Sequence, residues 1–420
     1  MDLSTNRRMR PRRSAWHVVF ALVCGIATRS HAGEVIAAVD AHGDLFVAGS
    51  SGADSVAMVH VASSNHWFVK AGAPTTSING VNTVAFVVTR DVVIDLRGGD
   101  DEVQCAGAVP RDLRIRLGAG VDEARVYDAT VGRDLRVVKG PDRDTFDLKK
   151  SAITRDVRID SGGPGVDFAV RTSSIGRDLT VRFGGGPAFA GAGESRVESV
   201  TVGRRLTMKG KSAVPIEVTD VIVAGNASIT TTAPNAVVVI GQSEFGASFR
   251  ARGPANFSVS LVDTLVNGKA RVVAGKGQLA QIGVVHCVFG ADVLLTSLAD
   301  ETLTSFIHPT DVGGRLRIDL RSKTSTWSWL SRLHVVGDIV FVAKGASDTV
   351  VFTESTAEAD ARFLLGGGAN DVSVSAVSVV GDLAITAGTG DDAVSFVQVS
   401  VGGSSVVATG AGADTFVEIP

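Results

Sequence analysis

Three consecutive stretches decide the fold: "RDLRIRLGAGVDEARVYDATVG" from Arg111 to Gly132, "RDLRVVKGPDRDTFDLKKSAIT" from Arg133 to Thr154, and "RDVRIDSGGPGVDFAVRTSSIG" from Arg155 to Gly176. They follow one another without a gap at a period of 22 residues, and the pattern returns in "GDLAITAGTGDDAVSFVQVSVG", Gly381 to Gly402. Each has an Asp as its second residue, places apolar residues two apart (Leu113/Ile115, Leu135/Val137, Val157/Ile159, Leu383/Ile385), and passes through Gly to a second acid. It then alternates again at Phe146/Leu148, Phe168/Val170 and Val394/Phe396. Alternation with period two is the mark of strands showing one face to a core.

Working outward, the pattern extends from about Gly43 to Pro420, or about seventeen units. A 22-residue unit cannot bury its own apolar face, whereas stacked copies bury it against each other. The expected fold is all-β: a parallel β-solenoid, written as a right-handed β-helix, with about three short strands per coil. A β-propeller made from pairs of units is the alternative, disfavoured because neighbouring units look alike. Residues 33–420 then form one domain. The middle, 204–337, keeps the length but loses the Gly and Asp signature, as in "RRLTMKGKSAVPIEVTDVIVAG".

The first thirty-two residues read as a secretory signal peptide. Arg7, Arg8, Arg10, Arg12 and Arg13 precede an apolar run from Ala15 to Ala27 and a small-x-small site, Ser30-His31-Ala32. The run is too short for a spanning helix, and cleavage is expected after Ala32. That leader holds six Arg and one Asp, a balance of +5, so the chain beyond it stands at −8 against −3 for the whole. An acidic chain argues against nucleic acid as partner. The expected location is secreted, periplasmic or at the cell surface.

Two acid columns run down the proposed solenoid. Asp91, Asp112, Asp134, Asp156 and Asp178, resuming at Asp338, Asp360 and Asp382, are accompanied in part by Arg111, Arg133, Arg155 and Arg177. These read as solvated, mutually neutralising charge at a turn. The second column, Asp54, Asp101, Asp122, Asp144, Asp348, Asp371, Asp392 and Asp414, with Asp167 one place late, has no basic companion. Carboxylates stacked one per coil repel. They then raise each other's pKa, recruit a hard cation such as Ca²⁺, or serve as Asx-type turn formers.

The turns "GGDDEV" (Gly98–Val103), "GTGDDAV" (Gly388–Val394) and "GAGADTF" (Gly410–Phe416) resemble those of haemolysin-type calcium-binding repeats. That family stacks its motif every nine residues, against once per 22 here. The resemblance implies Ca²⁺ as the ion of the second column. More broadly the chain resembles exported bacterial β-helix repeat proteins, a class that includes adhesin passengers. This implies an extracellular or periplasmic scaffold with a long binding face and names no ligand; the partner expected for a non-enzymatic surface or matrix protein is an extracellular polysaccharide or a surface protein.

Other chemistry is sparse. Asp100-Asp101 and Asp391-Asp392 are adjacent acids, the raw material of a β-helix polysaccharide lyase or glycoside hydrolase, the alternative reading. Neighbours in a strand point to opposite faces, however, and so do not converge of themselves. His42, His60, His66, His286, His308 and His334 show no metal-ligand spacing. Trp327 and Trp329 share one strand face and could form a sugar-stacking platform. They fall in the columns of Val394 and Phe396, so core filling is expected. Cys105 and Cys287 lie eight coils apart, about 38 Å, and should be free thiols. The last unit has no evident polar cap, which leaves end-to-end self-association open.

Overall fold

The computed structural model describes residues 33–420 except 164–166, 185–194, 212–214 and 255. The signal-peptide reading of residues 1–32 therefore lies outside the described residues. Every regular element among those described is a β-strand, so no helix is long and apolar enough to cross a membrane.

One sheet is built from the first strand of each coil. Leu135–Val138 pairs in parallel with Leu113–Arg116 below and Val157–Asp160 above, Leu135 matching Leu113 and Val157. This ladder climbs from Val92–Asp95 to Ser405–Ala408 in fourteen turns. A second sheet is built from the longer strands that follow, such as Glu123–Val131, Asp371–Val379 and Ala393–Val401. It bends once per coil, so three straight runs enclose each level. The chain is a parallel β-solenoid, not a propeller.

Alternation does the work the sequence implied. Leu113, Ile115, Leu135, Val137, Val157 and Ile159 are buried, and so are Val126, Leu148 and Val170 across the interior. Each inward residue lands on its counterpart one coil away, so the core is a set of continuous columns, with Phe341, Phe352 and Phe363 packed ring against ring. Burying a side chain of this size contributes about 1.5–3 kcal/mol.

The bend in the second sheet is made by one residue per coil in the left-handed region. Asp128, Lys150, Thr172, Ser199, Asp220 and Gln242 hold φ between 47° and 54°, and the column continues through His286, Arg332, Glu354 and Gln398. A single left-handed residue reverses the pleat, so the residue after it points inward. That inward place often carries a hydroxyl. Ser151 Oγ donates to the Lys149 carbonyl and accepts the Ala129 N–H of the previous coil. Ser173, Ser243 and Ser355 repeat the arrangement. The backbone amide stranded by the bend is thereby satisfied inside the wall.

The count of about seventeen coils was too high, because the first part of the chain is not repeat. Glu34–Val39 pairs antiparallel with Leu45–Ala48, and Ser55–Val61, His66–Ala71 and Thr83–Phe86 form an antiparallel meander. From Leu45 to its ladder partner Val92 the chain spends 47 residues on one coil. This antiparallel stretch covers the first coil, where an open ladder edge would otherwise stand free.

Candidate functional site

The second Asp column is an interior hydrogen-bonded ladder. The N–H of Asp54 donates to Asp101 Oδ1 at 2.8 Å, that of Asp101 to Asp122 at 2.9 Å, and that of Asp122 to Asp144 at 3.1 Å. Near the other end the N–H of Asp348 donates to Asn370, that of Asn370 to Asp392, and that of Asp392 to Asp414. Asp371 is not a rung. It pairs with Thr349 on the outward side, and Asn370 takes the place assigned to it. Asp167 likewise pairs with Thr145, one residue past the ladder. Between the two runs the column holds Ala236, Phe257, Ala280, Thr302 and Thr326. That change of chemistry is what the loss of signature in the middle means.

Except for the exposed Asp414 these carboxylates are buried, and the second oxygens of Asp101, Asp122, Asp348 and Asp392 have no hydrogen-bond partner. An ionised carboxylate in that state is costly, which favours the protonated form of Asp101 and Asp122. Burial pushes Asp101 up to about 7 and Asp122 up to about 6, against the opposing pull of the donated amide, and neighbouring acids add to the rise. Asp144 and Asp348 move the same way for the same leading cause. Calcium takes six to eight oxygens. Each level here offers one carboxylate, with one oxygen already committed to an amide. Among the described residues no three Asp, Glu, His or Cys side chains gather as an ion's ligand set. The ladder residues do not fit the calcium site that the haemolysin-type resemblance implies.

The first Asp column is a ladder too, running in the opposite sense. The N–H of Asp91 donates to Asp44, that of Asp112 to Asp91, and that of Asp134 to Asp112, at 3.0–3.3 Å. Asp91 and Asp112 are buried, as is Asp44 one coil earlier, so the expectation of solvated charge fails at that end, whereas Asp134, Asp156 and Asp178 are half-buried and Asp382 is exposed. Their arginines stand alongside: Arg111 Nε lies 3.8 Å from Asp91, and Arg133 Nε 3.6 Å from Asp112. The adjacent acids do not converge. Asp101 faces in, while Asp100 faces solvent and accepts the Val121 N–H at 2.8 Å; Asp391 does the same for Ala413.

The tryptophans contradict expectation. Trp327 and Trp329 are 52% and 45% exposed. They pair through Thr349 and Val351 with Asp371 and Ser373, then with Ala393 and Ser395, the outward set, rather than with Val394 and Phe396. The assignment was one residue out of register, and one residue exchanges faces. Inside their strand lie Thr326 and Ser328, with Thr304 beside Ser328 on the next coil. The hydroxyls of Ser328 and Thr304 are buried without a partner. The indoles rim a shallow depression of about 360 Å³, whose other walls include Ser258, Ser260, Gln281, Gly283 and Ser305. Leu303 beside Trp327 extends the apolar surface.

The histidines stay apart. His286 meets Asp263 at 2.6 Å, His334 meets Glu358 at 2.9 Å and Asp311 at 3.3 Å, and His42 meets Asp40 at 3.2 Å. Cys105 and Cys287 are buried and free, as expected, and burial raises their thiols to about 12 and about 11. Neither is a nucleophile at neutral pH. No protein-family model, curated relative or solved structure matches this chain.

Proposed function

We propose that this chain is an exported, non-enzymatic scaffold of the cell surface or extracellular matrix that holds neutral glycan chains against its middle coils. One observation carries the reading: the Trp327–Trp329 shelf. Two indoles stand exposed on a rigid sheet while Ser328 and Thr304 occupy the interior, so the local arrangement costs stability on both sides of the strand. A chain under no other demand would place them the other way round. The apolar C–H face of a sugar ring packs on an indole, and flanking Gln281, Ser258, Ser260 and Ser305 supply donors and acceptors for its hydroxyls. A sheet-mounted site of this kind is pre-organised. Export is supported by the pattern of residues 1–32. A catalytic role gains no support from the ladder acids, each of which commits one oxygen to a backbone amide and is spaced one coil from the next.

The test is a titration of the full chain with hydroxyethyl cellulose and a mixed-linkage β-glucan, followed by tryptophan emission. Viscometry of the same samples reports chain cleavage. The reading expects a shift in emission, abolished by Trp327→Ala/Trp329→Ala with the melting temperature kept. Binding that survives the double substitution overturns the shelf, and a fall in viscosity overturns the non-enzymatic assignment. Recovery of the protein in the cytosol of its own cells overturns export.

A further inference from the structure

The outer face of the first sheet changes character along the solenoid. In the early coils its arginines are neutralised. Arg114 meets Asp112 at 2.8 Å, Arg158 meets Asp160 at 2.7 Å, and Arg136 and Arg182 reach the same Asp160 at 3.7 and 3.9 Å. In the four coils whose strands here are Arg205–Gly210, Asn226–Thr231, Phe249–Gly253 and Ala270–Ala274, the strands carry no acid and the cations remain. Lys209, Arg250, Arg252 and Arg271 are all exposed, and none of them has a carboxylate within 4.0 Å among the described residues.

The register fixes their geometry. Arg250 lies directly opposite Arg271 on the neighbouring coil, and Arg252 is two residues further along the same strand on the same face. Lys209 stands in the Arg252 column, two coils below, with Thr230 between them. Strands are about 4.8 Å apart and residues two apart rise about 6.6 Å, so three guanidinium groups share one small area. Like charges directly opposite each other in a sheet destabilise it. In a chain of net charge −3, one that elsewhere sets an Asp beside such arginines, this unneutralised cluster is a local exception.

We infer that this face binds an acidic polysaccharide, whose carboxylate or sulfate groups lie among Arg250, Arg252 and Arg271 with Lys209 extending the track. Guanidinium presents a planar fork of donors that matches both anions. Ser228 and Thr230, on the same face between the cations, are placed to meet sugar hydroxyls. A nucleic acid fits less well. Single strands are held by aromatic platforms beside the positive charge, and in the coils from Arg205 to Leu320 the outward positions of this sheet carry no aromatic side chain. The cluster lies on the first sheet and the tryptophan shelf on the second, so the two surfaces do not depend on each other.

The experiment uses the full chain, with dextran sulfate and polygalacturonate as probes, neutral dextran as blank, and a single-stranded oligonucleotide of equal charge as competitor class. Binding to the two acidic polymers is expected to weaken steeply with salt. Arg250→Gln/Arg252→Gln/Arg271→Gln should weaken it about tenfold or more and lower the log–log salt slope by about three, one for each charge removed. Arg136→Gln/Arg158→Gln, on the same face, should change it less than about twofold, because those arginines are already paired. Trp327→Ala/Trp329→Ala should leave it unchanged. No binding at low salt, equal loss in both arginine variants, or an oligonucleotide bound as tightly as dextran sulfate each overturns the inference. Loss of neutral-glucan binding alone bears on the shelf, and loss of dextran sulfate binding alone bears on this face.

Discussion

The backbone N–H of Asp101 donates to the carboxylate of Asp122 one coil on, at 2.9 Å, and each of these acids keeps its second oxygen buried without a partner. The consequence is a stability that depends on pH in an unusual direction. In the unfolded chain both side chains titrate near 3.8, whereas in the fold they titrate at about 7 and about 6. A raised folded value means a contribution that is complete below pH 4 and lost as pH rises through 6 and 7. Melting temperature should therefore climb as pH falls from 8 to about 4. Below that, Asp178, whose pKa is lowered by its hydrogen bond to Arg204, loses its contribution and stability turns down again.

Asp101→Asn isolates the cause. Asn keeps the acceptor and cannot ionise, and the protein already uses Asn370 as a rung, where its Nδ2 donates to Asp392 at 2.7 Å. The variant should melt higher than the parent at pH 8, and the gap should close as pH falls to about 4. Calcium against excess chelator should leave both curves in place, since no ligand set surrounds the rungs. A parent that melts as high as the variant at pH 8 removes the protonated-ladder account.

Ser328 supplies a second test. It is wholly buried on the strand that carries the exposed tryptophans, and its hydroxyl has no partner. Ser328→Ala removes that hydroxyl at little change in volume and should stabilise the chain by about 1 kcal/mol, read from the urea midpoint. A lower midpoint would mean that the hydroxyl is satisfied in solution, and the argument from local cost for the tryptophan shelf would fail with it.

Gly118 tests how closely the coils approach. It holds φ +103°, and a Cβ there would sit 2.1 Å from the Arg97 carbonyl oxygen of the coil below. Neither the backbone angle nor the contact can relax without moving a ladder. Gly118→Ala should cost about 3 kcal/mol. A midpoint within experimental error of the parent would show that adjacent coils can separate at this turn.

Legibility differed from place to place for physical reasons. "RDLRIRLG" and its copies announced strands, period and core, because inward positions need apolar side chains and declare themselves by alternation. The interior ladder was located but misjudged by one residue at Asp371, because Asn370 and Asp371 are both good acceptors and only the pairing with Thr349 separates them. Trp327 and Trp329 were assigned to the wrong face by a similar slip, at the strand where Thr326 and Ser328 break the apolar rule. The left-handed corner gave no signal. Gly107 occupies it once, while elsewhere Asp128, Lys150, Gln242 and Glu354 share nothing but exposure. After Lys150, Thr172, Gln242 and Glu354 the inward residue is a serine that accepts an amide of the previous coil or donates to its own strand, a partner that no local motif records, while after Asp128, Ser199 and Asp220 it is Ala129, Val200 and Val221.

Thr172 brings that corner to a test. A β-branched residue pays most for the left-handed region, and Thr172 sits there at φ 48° with its side chain in solvent. Asn tolerates the region far better. Thr172→Asn should raise stability by about 1 kcal/mol without touching the Ser173 hydroxyl, which donates to the Arg171 carbonyl at 2.7 Å. Ser173→Ala is the counterpart: it strands the Ser151 N–H that now donates to Ser173 Oγ at 3.2 Å, and should cost about 1–3 kcal/mol. If the corner is held as described, the two substitutions, one residue apart, move the urea midpoint in opposite directions. If both lower it, Thr172 is making a contact that its exposure conceals. If neither moves it, the bend is set by the flanking strands and the hydroxyl column is incidental.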